Sequence, residues 1–204
     1  GFYVLESRAE PVSARAEGKE LFRYQHKTRY GINVAQPLDF GDAVLLSSAY
    51  GKGAALVDVG RRVPKAVWET ESFSSQMASM VRKGDHIFGI HGQTGGRAKY
   101  ATLCCLDIRK GRIRWEERSF GVGSLILVGE TLVILGDAGE LTLAEPSPNG
   151  FKELARVQVL GGKDGWTPPS YANGRLYCRS NKGDVVCLGL GGGEGKSREP
   201  EKPE

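Results

Sequence analysis

The feature that most constrains this chain is a repeat of about 44 residues. A small turn with a glycine beside a polar or acidic residue precedes an apolar strand in FGDAVLLSS, KGDHIFGIH, VGETLVILG and ANGRLYCRS. Its markers, Asp42, Asp85, Glu130 and Gly174, are 43, 45 and 44 residues apart. A constant period of this length indicates a chain built from a series of similar supersecondary units.

Two further landmarks keep nearly the same spacing. Glycine turns lead into apolar strands at Gly139 and Gly183, which are 44 residues apart. A bulky aromatic residue lies in a polar edge strand at Phe22, Trp68 and Trp115, at steps of 46 and 47 residues. Four short strands per unit of this length are typical of a β-propeller blade. A β-sandwich is the alternative, but sandwiches do not repeat their turn chemistry at a constant period.

Composition agrees with an all-β chain that has many tight turns. The 204 residues include 29 glycines, about twice the usual share, and 9 prolines. Lys and Arg number 28 against 24 acidic residues, and the signs are mixed along the chain. No block of like charges suggests a nucleic-acid arm, and no apolar run is long enough for a transmembrane helix. No signal peptide is visible in the chain.

We predict an all-β fold, a β-propeller segment of about four four-stranded antiparallel blades within residues 1–190. Residues 191–204 form a charged tail that we expect to be disordered. The predicted blades cover residues 1–24 in part, 33–70, 78–118, 123–157 and 168–190 in part. The last unit lacks an aromatic fourth strand, and the first unit carries a strand of that kind. Either the two ends close a small ring, or the chain is half of a ring of seven or eight blades, which we favour because it begins within the pattern.

The segments CCLDIRKGRIRW and VSARAEGKELF resemble the tryptophan-docking pattern A-x-D-x-x-T-G-K-x-x-W of quinoprotein-like propellers. The better copy keeps a small residue, the acid, the glycine and the aromatic residue as Cys105, Asp107, Gly111 and Trp115. The longer blocks YGINVAQPLDFGDAVLLSS and GWTPPSYANGRLYCRS also look like the C-terminal half of bacterial propellers labelled pyrroloquinoline-quinone-binding-like or BamB-like. The resemblance implies the propeller fold and a periplasmic or otherwise extracytoplasmic setting.

The docking motif has a physical interpretation. We expect Gly111 to allow a left-handed turn and Asp107 to accept backbone hydrogen bonds at that turn. The ring of Trp115 would then lie on a neighbouring blade, and Trp68 and Phe22 would do the same from theirs. These residues are therefore predicted to be structural.

A quinone cofactor with Ca²⁺ is the chemistry that the resemblance raises. Such a site needs carboxylate and amide oxygens gathered around the metal and a catalytic Asp beside them. The candidates are Asn33, Asp39, Asp42, Asp85, Asp137 and Asp164, most of them in predicted turns. We therefore predict no cofactor-binding, metal-binding or catalytic residue. A quinone-dependent alcohol or sugar dehydrogenase domain remains the alternative function.

Three aromatic residues in predicted connecting loops are the candidates for a binding face: Tyr30, Tyr50 and Trp166. Loops on one face of a propeller carry most partner contacts. We predict a non-enzymatic scaffold or binding module whose partner is a protein, with a glycan as the other possibility.

The adjacent cysteines Cys104 and Cys105 are either packing residues or a strained disulfide. Strand alternation points neighbouring side chains to opposite faces of a sheet. We therefore expect two free thiols on opposite faces.

Overall fold

The chain folds into antiparallel β-sheets in the computed structural model, which describes residues 2–4, 12–16, 19–93, 100–162 and 165–189. Glycines with positive φ, including Gly84, Gly129 and Gly174, form the turns between paired strands. No described helix is long and apolar enough to cross a bilayer. The strands are β1 (Phe2–Val4), β2 (Val12–Ala16), β3 (Lys19–Tyr24), β4 (Leu38–Asp39), β5 (Ala43–Ser48), β6 (Gly53–Asp58), β7 (Lys65–Thr70), β8 (Val81–Lys83), β9 (His86–His91), β10 (Thr102–Asp107), β11 (Arg112–Glu117), β12 (Ser124–Val128), β13 (Thr131–Leu135), β14 (Glu140–Glu145), β15 (Lys152–Gln158), β16 (Ser170–Ala172), β17 (Arg175–Arg179) and β18 (Val185–Gly189).

Consecutive strands pair to form five sheets, which we number in chain order. Sheets 2, 3 and 4 are four-stranded and contain β4–β7, β8–β11 and β12–β15. Sheets 1 and 5 have three strands each within the described residues, β1–β3 and β16–β18. The prediction of a β-propeller is confirmed, and its blades are three complete sheets flanked by two three-stranded ones. Strand β15 ends at Gln158, one residue beyond the predicted edge of its blade.

The last two strands of sheets 1 to 4 share one irregularity. A register shift interrupts each pair at the same point: Ala14/Arg15, Leu56/Val57, Cys105/Leu106 and Leu143/Ala144. On the partner strand, the residue paired just before the shift is Phe22, Trp68, Trp115 or Ala155. Because a bulge bends its strand and re-aims a side chain, the same local distortion recurs at this position in sheets 1 to 4.

Buried apolar clusters lie between successive sheets. Leu132 and Ile134 belong to the cluster that contains residues of sheet 3, whereas Val133 and Leu135 pack against sheet 5. Alternate residues of one strand therefore cover two neighbouring blades. All four are fully buried, which accounts for the almost continuous apolar character of the inner strands.

The cysteine pair follows the same alternation. Cys104 belongs to the cluster between sheets 2 and 3, and Cys105 to the cluster between sheets 3 and 4. Both are fully buried and both are free thiols. Burial raises the pKa of each thiol to about 12. The expectation of two packing residues on opposite faces is confirmed.

Candidate binding face

The meander topology sorts the loops onto two faces. An antiparallel strand reverses direction at each turn, so the links between sheets and the loops between second and third strands share one face. We call this the connection face; its described parts in sheets 2 and 3 are residues 25–37, 49–52, 71–80, 92–93 and 100–101. The remaining turns, which include residues 84–85 and 108–111, form the opposite turn face.

The connection face carries an aromatic pair, Tyr30 and Tyr50. Tyr30 precedes β4 and Tyr50 lies in the turn between β5 and β6, yet their ring centroids are 4.9 Å apart in an edge-on arrangement with an interplanar angle of 78°. Tyr30 is 60% exposed, and the Arg29 guanidinium carbon lies 5.5 Å from the centre of its ring. The three side chains present an apolar surface with a positive charge at its edge.

The backbone conformation and the hydroxyl group of Tyr50 fix the position of its side chain. Its φ of 61° is in the left-handed region that non-glycine residues rarely adopt. The hydroxyl oxygen accepts a hydrogen bond of 2.8 Å from Gln76 Nε2. Tyr50, Arg29, Tyr30 and Gln93 border an open depression of about 340 Å³. Because the hydroxyl oxygen accepts this bond, its own proton remains available to donate.

Hydrogen bonds between the links and the end of strand β5 support this surface. Ser48 Oγ donates to Asn33 Oδ1 at 2.6 Å, which ties the link before β4 to the end of β5. The Ser75 amide donates to Ser47 Oγ at 2.7 Å, which ties the link after β7 to the same strand. Ser47 and Ser48 are both buried. The aromatic pair therefore lies on loops that the end of one strand holds in place.

A cluster of ionisable groups lies where sheets 1 and 2 meet. Glu69 Oε1 accepts hydrogen bonds from Lys52 Nζ at 3.2 Å and from the Tyr24 hydroxyl at 3.3 Å. Burial, followed by the charge of Glu69, raises the pKa of Tyr24 to about 12. His26 is 1% exposed, and neither of its ring nitrogens has a hydrogen-bond partner among the described residues. Burial, with the Lys52 charge second, lowers the pKa of His26 to about 4, so His26 is neutral at pH 7.

Trp166 has different surroundings from the tyrosine pair. It is half-buried and packs against the apolar cluster between sheets 3 and 4, and its Nε1 is buried without a hydrogen-bond partner among the described residues. The structure thus brings Tyr30 and Tyr50 together and uses much of Trp166 for packing. The sequence analysis did not identify Gln76 and Gln93 as residues of this site. They lie in loops outside the segments that carry Tyr30 and Tyr50, and no local sequence pattern marks them.

The two tryptophans of the docking motif contact turns on the turn face. Trp68 Nε1 donates to the Ile108 carbonyl of the next sheet at 2.7 Å, and Trp115 Nε1 donates to the Ser147 carbonyl of the sheet after that at 2.9 Å. A Cβ on Gly111 would lie 2.6 Å from Trp68 Cδ2, so only glycine leaves room for the ring. The two indoles thus make equivalent contacts one blade apart.

Asp107 and Phe22 are two further positions of the docking motif. Asp107 Oδ1 accepts the backbone amides of Arg109 and Lys110 at 3.0 and 3.2 Å, as expected for an Asp that closes a turn. Phe22 is half-buried at the corresponding position of sheet 1. Sheet 4 has Ala155 there, so the aromatic position does not occur in every blade.

The candidate quinone ligands do not gather at one place. The Gly41 amide donates to Asp39 Oδ1 at 2.6 Å, the Val122 amide donates to Asp137 Oδ2 at 3.1 Å, and Asp85 pairs with Arg109. Asn33 receives the bond from Ser48, and Asp164 lies outside the described residues. Within the described ranges, no three His, Cys, Asp or Glu side chains are grouped to hold a metal ion. The described residues therefore do not fit a quinone and Ca²⁺ site.

Two known structures, Ika4 and the Cps50 (Swd1) propeller domain, support the fold, and a third structure is less similar. The computationally designed protein Ika4 is 12% identical, with a TM-score of 0.58, over 85% of this chain and 99% of its own. The β-propeller domain of Cps50 (Swd1) from Myceliophteria thermophila is 16% identical, with a TM-score of 0.56, over 92% of this chain and 68% of its own. BamB from Moraxella catarrhalis is 14% identical, with a TM-score of 0.44, over 88% of this chain and 66% of its own. No curated protein sequence matches the chain at a significant level.

The repeat, the sheets and their packing define a pyrroloquinoline-quinone-like β-propeller protein. Residues 10–117, just over half of the chain, match the family described as outer membrane protein assembly factor BamB. The chain belongs to this family.

Proposed function

We propose that the chain is a non-enzymatic scaffold and binding module that captures a protein partner on its connection face. One observation carries the proposal: the exposed Tyr30 ring beside Arg29, with Tyr50 edge-on at 4.9 Å. Tyr and Arg are the residue types that dominate binding energy at protein interfaces. The Tyr50 ring, which the hydrogen bond from Gln76 holds in place, loses little side-chain entropy when a partner binds.

The chemistry of the depression favours a polypeptide over a glycan. Arg29 lines the depression and gives it a positive charge, which favours carboxylates on the partner. A glycan would use the same exposed ring for stacking, so it is the second occupant to test. Membership of the BamB family supports an extracytoplasmic setting for this role.

Substitutions at the exposed edge test the proposal without disturbing the fold. Arg29→Ala and Tyr30→Ala remove exposed side chains, whereas Tyr50→Ala and Trp166→Ala would also remove packing. Tyr171→Ala is the matched control, since Tyr171 is a 45% exposed tyrosine on sheet 5. We expect partner capture in the native host, measured by crosslinking and mass spectrometry, to fall about tenfold or more for Arg29→Ala and Tyr30→Ala. Equal capture by these variants and the control would count against this face.

The dehydrogenase alternative makes a separate prediction. A quinoprotein would acquire a quinone absorbance and dye-linked alcohol oxidation when pyrroloquinoline quinone and Ca²⁺ are added. The proposed scaffold shows neither. Both measurements use the purified chain and do not depend on a partner.

A further inference from the structure

The link between sheets 2 and 3, residues 71–80, holds Tyr50 in its place on the connection face. Gln76 Nε2 donates to the Tyr50 hydroxyl oxygen at 2.8 Å, and the Ser75 amide donates to Ser47 Oγ at 2.7 Å. Ser75 and Gln76 are both buried. The position of the Tyr50 ring therefore depends on where this link lies.

The same link is anchored on its other side to the end of β9. The Ser74 carbonyl accepts a hydrogen bond from the Gly92 amide at 2.9 Å. The Ser74 amide donates to His91 Nδ1 at 2.8 Å. Ser74 directly precedes Ser75 and Gln76, so this anchor sets the position of the two residues that reach sheet 2. One of its two acceptors is a titratable imidazole.

The bond from Ser74 requires one protonation state of the His91 ring. A backbone amide can only donate, so Nδ1 carries no proton and the neutral ring has its proton on Nε2. A second proton would bind to Nδ1 and turn this acceptor into a donor. Two N–H groups would then face each other. Protonation of His91 is therefore incompatible with its contact to Ser74.

The surroundings of the ring favour the neutral form. His91 is half-buried, and its ring centroid lies 6.3 Å from that of Phe73, which is fully buried. Burial lowers the pKa of His91, and the negative charge of Glu116 on β11 opposes this effect in second place.

The other groups on this side of sheet 3 bring no charge to the ring. Cys104 of β10 lies beside Glu116, with 3.9 Å between Sγ and Oε1, and its pKa of about 12 keeps the thiol protonated. The link contributes Phe73 and Ser74, and sheet 2 faces this side with apolar residues such as Leu45. Glu116 is thus the charged group that acts on His91 among the described residues.

We infer that His91 is a positioning residue of the connection face: its neutral ring holds residues 71–80 against β9, and its protonation releases them and moves Tyr50. The consequence for binding, a loss of partner capture on acidification, rests on the proposed function. Because the pKa of His91 is lowered from 6.5, the contact is complete above about pH 6.5. It is lost as the pH falls through the lower pKa of the folded chain.

NMR of the full chain tests the tautomer and the anchor without any partner. Long-range correlations between ring protons and ring nitrogens show which nitrogen is protonated, and at about pH 7.5 we expect the His91 proton on Nε2. In a pH series, the ring and the Ser74 amide should change in one transition below about pH 6.5. A proton on Nδ1 at about pH 7.5, or a Ser74 amide that ignores the titration of His91, would overturn the inference.

The response of Tyr50 is measured by fluorine NMR of the chain labelled with 3-fluorotyrosine, and Tyr50→Phe assigns its signal. We expect this signal to shift in the same transition. His91→Asn offers a side-chain oxygen that accepts the Ser74 amide at every pH, so the shift should disappear. His91→Leu offers no acceptor, so the signal should stay near its acidic position throughout.

His86→Asn is the matched control, because His86 is the half-buried histidine at the opposite end of β9. It should keep the transition of the unchanged chain. All these chains contain His26, so its titration cancels in the comparison. Thermal unfolding at each pH checks that every variant remains folded. A transition that persists in His91→Asn, or that disappears in His86→Asn, would contradict the role of His91.

Partner capture by crosslinking in the native host, at about pH 7.5 and at the acidic end of the NMR transition, tests the consequence. Relative to His86→Asn at the same pH, His91→Asn should capture equally at about pH 7.5 and at least about threefold more at the acidic end. Equal capture at both pH values would show that His91 does not regulate binding. Tyr30→Ala separates the two proposals: if it captures as well as the unchanged chain, the proposed function fails, whereas the NMR transitions still decide the role of His91.

Discussion

At the scale of single residues, burial sets the chemistry of His26. This histidine lies in the link after β3 with 1% of its surface exposed, and Lys52 and Glu69 are the charged groups that act on it. Its pKa is lowered to about 4 because the protonated ring would lose its hydration without gaining a partner. The neutral ring therefore behaves as a packing residue.

The lowered pKa predicts how stability depends on pH. The unfolded chain binds a proton to His26 near pH 6.5 and the folded chain near pH 4, so the neutral ring contributes fully above about pH 6.5. This contribution, roughly 3 kcal/mol at about 1.4 kcal/mol per pKa unit, is lost as the pH falls from 6.5 to 4. His26→Leu should flatten the pH profile of the free energy of unfolding in that window. Parallel profiles for the two proteins would contradict the assignment.

At the scale of elements, one turn determines how neighbouring sheets fit together. The turn between β10 and β11 places Gly111 under the Trp68 ring of the preceding sheet, with φ at 62°. The indole Nε1 donates to the Ile108 carbonyl of the same turn. The Trp68 ring and its hydrogen bond thus join one blade to the backbone of the next. A side chain on Gly111 would push the Trp68 ring away from this turn.

Gly111→Ala tests this contact, with Gly129→Ala as its matched control. Gly129 has φ of 58° in the turn between β12 and β13, and a Cβ there would meet nothing within 4 Å. Both substitutions carry a similar backbone cost, about 1 to 2 kcal/mol. Gly111→Ala should lower the free energy of unfolding by roughly 1–3 kcal/mol more, because the new methyl group overlaps the Trp68 ring. Chemical denaturation measures the difference, and equal losses would refute the docking role of Trp68.

At the scale of the whole molecule, the sheets are covered to different extents. Strand β10 lies in sheet 3 with its first five residues buried, since clusters cover it on both sides. Strand β18 in sheet 5 alternates between exposed and half-buried residues, since among the described residues a cluster covers only one of its faces. Burial, and with it resistance to local opening, is therefore unevenly distributed along the chain.

Hydrogen exchange should reveal this gradient. We expect amides of β9 and β10 to exchange slowest and those of β17 and β18 to exchange at least about tenfold faster, because local opening of sheet 5 exposes less buried surface. Mass spectrometry of peptides from the two regions measures the rates. Uniform protection across the sheets would contradict the gradient.

Sequence periodicity predicted the architecture because each blade repeats the same local requirements. Glycine or asparagine must turn the chain between paired strands, and apolar runs must fill both faces of the inner strands. Asp42, Asp85 and Glu130 mark turns that the structure places between the first and second strands of sheets 2, 3 and 4. The cysteine pair was equally predictable, since strand alternation is a local property.

The candidate site was only partly predictable. Tyr30 and Tyr50 were identified as loop aromatics, and the structure adds that their rings touch edge-on. Trp166 met the same criterion, but it packs against a core that sheets 3 and 4 form together. Loop position is visible in one sequence, whereas the surface that a long aromatic side chain covers depends on other blades.

The sequence by itself determined the repeat, the all-β fold, the alternation of faces and the positions of the turns, because these depend on residues close together in the chain. Only the tertiary structure decided which loop aromatics meet, that His26 is buried without a hydrogen-bond partner among the described residues, and that Tyr177 and Val185 are exposed. The same apolar pattern is buried at Val133 and exposed at Tyr177. The reason is physical: burial of a sheet face depends on what packs against it, and no local sequence pattern records that contact.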